Sequence, residues 1–119
     1  MRIGTDIIQI SRIEIALSKF SNNFKKRFLN PEEIDIAHKT ETLAGFWAAK
    51  EAIAKAIGCG IGKELSFKDI IIKKDNRGAP SFMLKEKAQS LHKISNSSLS
   101  ISHDGGFAIA VATIEFKVL

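Results

Sequence analysis

The sequence predicts an α+β fold, a small mixed sheet packed on one long helix with a C-terminal β-hairpin. Three observations predict it. Residues 47 to 55, WAAKEAIAK, are strong helix formers with no glycine or proline, so a long helix runs from about Thr42 to Ile57 and stops at Gly58. Residues 97 to 103 and 107 to 116 flank Asp104-Gly105-Gly106, a strong hairpin signal. Helices and strands follow one another without a repeated βα rhythm, which separates α+β from α/β.

The elements follow in order. Residues 2 to 8, rich in Ile and Thr, read as a strand. Ser11 with Glu14 three residues on forms a candidate capping box for a helix over 12 to 20. Helical character resumes over 22 to 28 after a break at Ser21-Asn22-Asn23. Asn30-Pro31-Glu32-Glu33 is a helix start, with proline at the first position and acids on the positive end of the dipole; that helix runs to about Ala37. Strands at 69 to 74 and 81 to 84 flank the turn Asn76-Arg77-Gly78-Ala79-Pro80, and a helix covers 85 to 93.

A chain of 119 residues makes one domain, 1–119, with a core but not a deep one. No run approaches the ~20 apolar residues of a membrane span. The chain opens directly as a strand, with no basic segment followed by an apolar leader. The single cysteine, Cys59, cannot form an internal disulfide. These features predict a cytoplasmic protein. A net charge of +5 favours an acidic partner: nucleic acid, anionic lipid, a phosphorylated cofactor or an acidic protein.

Two places stand out chemically. On the long helix Trp47, Glu51 and Lys55 share one i, i+4 row, beside a ridge of small residues at Ala44, Ala48, Ala52 and Ala56. A plain surface ion pair is the commoner meaning of Glu and Lys at this spacing, worth only ~0.3–0.5 kcal/mol. The alanine ridge argues otherwise, because it lets another backbone approach and puts the charged row at the margin of a packed face. In the first strand Asp6 lies inside an apolar run. A buried carboxylate is costly unless it is hydrogen-bonded, paired or metal-bound. With Ser11 available as the cap, Asp6 has no evident local task.

At these residues the chain resembles the 4′-phosphopantetheinyl transferases. Ile3-Gly4-Thr5-Asp6-Ile7 and Trp47-Ala48-Ala49-Lys50-Glu51-Ala52-Ile53-Ala54-Lys55 match the two parts of that signature. The short length, the glycine-rich Gly58-Cys59-Gly60-Ile61-Gly62 and the late Ser100-Ile101-Ser102-His103 look like the bacterial holo-acyl-carrier-protein synthase branch. The likeness spans Ile3 to about Ala112.

The resemblance implies the fold of that superfamily and its chemistry. Phosphopantetheine would pass from coenzyme A to a serine of an apo-acyl carrier protein for fatty acid biosynthesis, with 3′,5′-ADP leaving. Asp6 and Glu51 would hold Mg²⁺, which suits one or two carboxylates plus water and phosphate oxygens. Glu51, or a water that it orients, would take the serine proton, and Lys55 would reach a phosphate. The nucleotide end of coenzyme A would meet Gly58, Gly60, Pro80 and His103. The commoner meaning of Gly58 is a helix C-cap, and that of a lone histidine at a hairpin mouth is an exposed turn residue.

The chain departs from the family at three positions. Phe46 stands where an Arg usually precedes the aromatic of the second motif, which removes a phosphate contact that Lys39 or Lys63 could replace. Ala79 replaces a usual Lys, and Cys59 a usual Thr.

Arg12, Lys19, Lys25 and Arg27, interleaved with Phe20, Phe24 and Phe28, suggest a basic surface that docks the acidic carrier. A core stripe with a solvated face is the commoner meaning of such a pattern. Single-stranded nucleic acid also fits basic residues among aromatics, but a binding module of that kind leaves Asp6 and Glu51 unexplained, so no nucleic acid is expected. A weakened relative that only binds coenzyme A is a third reading. The branch also implies a homotrimer with active sites at subunit boundaries, Asp6 and Glu51 facing His103 of a neighbour. Leu99, Ile101, Phe107, Ile109 and Val111 would form the hairpin face that the copies cover.

Overall fold

β-Branched residues at the N-terminus, strong helix formers in the middle and alternating alanines at the C-terminus build three pieces that pack on one another. The computed structural model describes residues 1–118, so Leu119 lies outside the described residues. The order is β1 (Arg2–Gln9), α1 (Ile10–Phe20), α2 (Asn22–Phe28), α3 (Pro31–Ile34), α4 (Thr40–Ile57), β2 (Ile70–Lys74), β3 (Pro80–Leu84), α5 (Glu86–His92), β4 (Ile94–Asp104) and β5 (Phe107–Phe116). One sheet has the order β1-β5-β4, and β2 and β3 form a separate ribbon. The sheet is small, as expected, but every pairing is antiparallel, so it is not mixed in direction. The C-terminal strand β5 returns between the N-terminal strand and its own hairpin partner.

Several boundaries move for physical reasons. Helix α1 begins at Ile10 without a side-chain cap, so the Ser11–Glu14 capping box does not form. Strand β1 runs straight into the helix, and the Ile10 amide donates to the Gly106 carbonyl at 2.9 Å, a partner from the hairpin turn. The break between α1 and α2 falls at Ser21, whose φ is +50°. It divides the phenylalanine row: Phe20 is exposed, while Phe24 and Phe28 are buried. Helix α3 ends at Ile34 rather than Ala37, and a 3₁₀ turn at Phe67–Asp69 precedes β2.

The alanine ridge meets the backbone it was expected to admit. Ala44, Ala48, Ala52 and Ala56 are fully buried, and so are Ala108, Ala110 and Ala112 of β5. Gly4 of β1 lies against the same helix. A Cβ there would press onto the Ala52 carbonyl oxygen and come within 2.5 Å of the Ala56 amide nitrogen. Neither atom can rotate away. Gly4→Ala is therefore expected to cost about 3 kcal/mol, the upper end of ordinary overpacking. Urea unfolding measures it, and an unchanged midpoint would show that β1 and α4 can separate without loss.

The hairpin distributes its faces differently from the sequence reading. Leu99 pairs with Ala112 and Ile101 with Ala110, so both lie on the alanine face that α4 covers. Ile101 reaches the slot left by Gly45, where its Cγ2 stands 2.8 Å from an added Cβ. The opposite face carries Phe107, Ile109 and Val111 of β5, joined by Ile3 and Ile7 of β1. On β4 that face carries Ser98, Ser100 and Ser102, which are exposed and dock no helix. Ile3, Ile7, Phe107 and Ile109 are 66%, 58%, 39% and 43% exposed, an apolar strip with no cover in the described chain.

Candidate active site

Asp6 sits on the inner face of β1, opposite Ala110 and turned toward α4. Lys55 of α4 reaches across to it, with Nζ 3.0 Å from Asp6 Oδ1 and 3.1 Å from the Thr5 carbonyl oxygen. Asp6 thus has a partner that sequence spacing did not reveal, and Lys55 pairs with the strand rather than with Glu51. Glu51 is half-buried one turn before Lys55. Burial pushes the Glu51 carboxyl above its ordinary pKa, nearby Asp6 pushes it further, and Lys55 opposes both. Asp6, Glu51 and Lys55 therefore converge. Trp47, at the start of their row, stacks among Phe24, Phe28 and Phe67, which anchors the row in the core before it emerges into solvent.

Two carboxylates that repel one another on facing elements form a donor set that suits a hard divalent cation. Among the described residues no cluster of three or more His, Cys, Asp or Glu surrounds a metal position. A cation held here would complete its coordination with water and ligand phosphate oxygens.

The glycines expected at the nucleotide end serve the fold first. Gly58 caps α4 at φ +101°, and its amide donates to the Ala54 carbonyl at 3.0 Å. The Gly60 amide donates to the same oxygen at 3.2 Å, and the Gly62 amide to the Leu65 carbonyl at 2.9 Å. Their N–H groups are spent, so what Gly60 offers a ligand is a bare Cα facing open space.

His103 lies elsewhere on the chain. With Pro80 and Gly78 it lines a cavity of about 140 Å³ near the start of α4, together with Glu41, Phe46 and Lys74. Glu41 and Glu51 are ten residues apart on α4, about 15 Å along the axis. His103 also borders a wide cleft of about 800 Å³ along the hairpin turn and the start of α1. Lys39 and Lys63 do not line the His103 cavity; Lys74 does. The signal for it was its position immediately before the Asp75–Pro80 turn.

The basic surface is partly as expected. Arg12 and Lys19 are exposed on α1, and exposed Ile15 shares their stripe. Arg27 is exposed and its guanidinium covers the Phe20 ring at 5.2 Å, while Lys25 is half-buried. None of these cations forms an ion pair among the described residues.

One polar group escaped the sequence reading. Lys50 is fully buried and donates to Glu33 Oε1 and to the Phe28 and Phe67 carbonyl oxygens at 2.7, 2.7 and 2.9 Å. Burial pushes its ammonium down in pKa and Glu33 pulls it back. Three acceptors around Nζ require three N–H donors, which only the ammonium has. Glu33 also accepts from the Asn30 amide, Asn30 Nδ2 and the Ile72 amide. This group ties α2, α3 and β2 to α4 immediately beside Glu51.

The sequence model of the 4′-phosphopantetheinyl transferase superfamily matches residues 2–112. The chain is 61% identical over 117 residues to the holo-[acyl-carrier-protein] synthase of Sulfurovum sp., covering 98% of each chain. It is 53% identical over 112 residues to that of Nitratiruptor sp., covering 94% of this chain and 97% of the relative. Its fold is similar to a crystal structure of Helicobacter pylori holo-[acyl-carrier-protein] synthase in complex with coenzyme A, at a TM-score of 0.92 and 47% identity over 95% of this chain and 99% of that one. It is also similar to the Bacillus anthracis synthase in complex with CoA (3′,5′-ADP), at a TM-score of 0.83 and 41% identity over 98% and 96% of the two chains.

Proposed function

Because the chain belongs to the 4′-phosphopantetheinyl transferase superfamily, we infer that it transfers the 4′-phosphopantetheine arm of coenzyme A to a serine hydroxyl of apo-acyl carrier protein. The serine oxygen bonds to the phosphorus that bears the pantetheine arm. The pyrophosphate P–O bond breaks, and 3′,5′-ADP leaves with the electron pair. The observation that carries this reading is the convergence of Asp6, Glu51 and Lys55 from β1 and α4. Incubation with coenzyme A, Mg²⁺ and apo-carrier tests it: the carrier gains roughly 340 Da, the mass of the transferred arm. An unchanged carrier mass would sink the reading.

Asp6 and Glu51 hold Mg²⁺ in this reading. When bound, the ion neutralises charge on the pyrophosphate and orients it for displacement. Lys55, mobile and half-exposed, supplies a point charge to the same phosphates. Glu51, or a water that it orients, takes the serine proton in this reading. The whole chain, 1–119, acts as one domain, works in the cytoplasm, and supplies holo-carrier for fatty acid biosynthesis.

The carrier docks on α1 and α2. Exposed cations that form no ion pair among the described residues, with Ile15 and Phe20 among them, support that surface. Reversing the charge at Arg12 should raise KM for the carrier several-fold and leave KM for coenzyme A near its original value. The effect should fade with added salt, because charges more than ~8–10 Å apart are screened at physiological ionic strength. Equal changes in both KM values would place the docking surface elsewhere.

The working form is a homotrimer with sites at its subunit boundaries. The uncovered strip of Ile3, Ile7, Phe107 and Ile109 supports a second cover from other copies. The separation of His103 from the carboxylates within one chain supports a neighbour completing each site. Mass in solution should be three times the 13.1 kDa chain. Mixing Asp6→Ala with His103→Ala chains should restore part of the activity that each lacks. A monomeric mass at micromolar concentration would rule the arrangement out.

A further inference from the structure

Phe46 occupies a position where the resemblance leads one to expect an arginine, and the side chain now standing at that place is a lysine from another element. Lys74 Nζ lies 5.7 Å from the centroid of the Phe46 ring. Both line the cavity of about 140 Å³ that also meets Glu41, Thr42, Pro80 and His103. Lys74 is not a loose surface lysine in its backbone. It closes the β2–β3 ribbon opposite Pro80, and the following turn is fixed by Asp75 Oδ1, which accepts from the Arg77 and Ala79 amides at 2.8 and 2.9 Å. Among the described residues no carboxylate pairs with Lys74, although Glu41 borders the same cavity. The aromatic face holds the ammonium without neutralising it.

We propose that Lys74, with His103 and Thr42 beside it, binds the ribose 3′-phosphate of coenzyme A and replaces from β2 the contact that Phe46 has removed from α4. The inference rests on the transferase reading. Coenzyme A carries two phosphate groupings. Its pyrophosphate belongs with Asp6, Glu51 and Lys55, where the bond breaks. The 3′-phosphate monoester is left at the nucleotide end and needs a cation of its own. Thr42 and the His103 ring can donate hydrogen bonds to it, and Lys74 supplies the positive charge.

The test compares coenzyme A with 3′-dephospho-coenzyme A. Lys74→Met keeps the apolar stem over Phe46 and removes the charge. It should raise KM for coenzyme A about tenfold, the loss expected for one charge-assisted hydrogen bond. KM for the dephospho substrate should not move. Phe46→Arg in the Lys74→Met background should recover most of the lost affinity. Calorimetry with 3′,5′-ADP and 5′-AMP reads the same seat without turnover: the wild type should prefer 3′,5′-ADP and K74M should lose that preference. An unchanged KM for coenzyme A, or equal weakening of both substrates, would overturn the assignment while leaving the transferase reading intact. A chain that prefers 3′,5′-ADP through Lys74 yet modifies no carrier would retain the seat and overturn the transferase reading instead.

Discussion

Asp6→Ala and Glu51→Ala are each expected to reduce phosphopantetheine transfer by about 10²–10³-fold at saturating Mg²⁺, the scale of removing one preorganised electrostatic group. Each substitution removes one of the two carboxylates proposed to hold the cation. Asp6→Ala also frees Lys55, whose Nζ is 3.0 Å from Asp6 Oδ1. The fold should survive both changes. Lys55 is 53% exposed in its side chain, so its pair with Asp6 is screened and of a kind worth at most ~1 kcal/mol. Glu51 carries a raised pKa, so its charge is not a source of stability at neutral pH. Its folded-state pKa lies above the unfolded one, so its stabilising contribution is full below the ordinary glutamate range and lost as pH rises through the folded value. Transfer assays beside thermal melts separate the two effects. Near-normal turnover in either variant would remove the carboxylate pair from the mechanism.

What the sequence made legible follows the range of the interactions involved. The ridge of Ala44 to Ala56 is local to one helix, and it foretold a close backbone approach. Gly4 supplies that approach, together with the alanines of β5. Asp6 was conspicuous because a carboxylate in an apolar strand needs an explanation. Its partner Lys55 was hidden because the pairing crosses from β1 to α4. The faces of the hairpin were misread through parity. Gly105 and Gly106 form a two-residue turn with φ values of +58° and +83°, and Asp104 pairs with Phe107. Odd positions of β4 therefore lie beside even positions of β5, which puts Leu99 and Ile101 with the alanines. Sequence placed Lys74 beside a turn but not in a cavity, because the Phe46 and His103 that line it with Lys74 come from α4 and β4. Glu33 looked like an acid on the positive end of a short helix, and Lys50 was only the residue before Glu51 in the second motif. Only the fold brings those two together.

Replacing Lys50 should damage the protein more than any change on its surface. Its side chain has no exposure, nor does that of Glu33, and their charged atoms are 2.7 Å apart. Lys50→Met preserves length and apolar stem. It leaves the Glu33 carboxylate buried with no cation and strips the Phe28 and Phe67 carbonyl oxygens of a donor. Removing one partner of a buried pair typically costs ~3–5 kcal/mol, because the remaining charge is uncompensated. The melting temperature should then fall by more than about 10 °C. Glu33→Gln should also destabilise, since Glu33 accepts from the amides of Asn30 and Ile72 as well as from Lys50. The double variant Lys50→Met, Glu33→Gln should lose less than the sum of the two single losses, because no bare charge is left inside. Additive losses would mean that the pair is not coupled. A Lys50→Met protein that melts within about 2 °C of the wild type, well inside the shift expected for 1 kcal/mol, would show that the buried ammonium is not what joins α2 and β2 to the helix that carries Glu51.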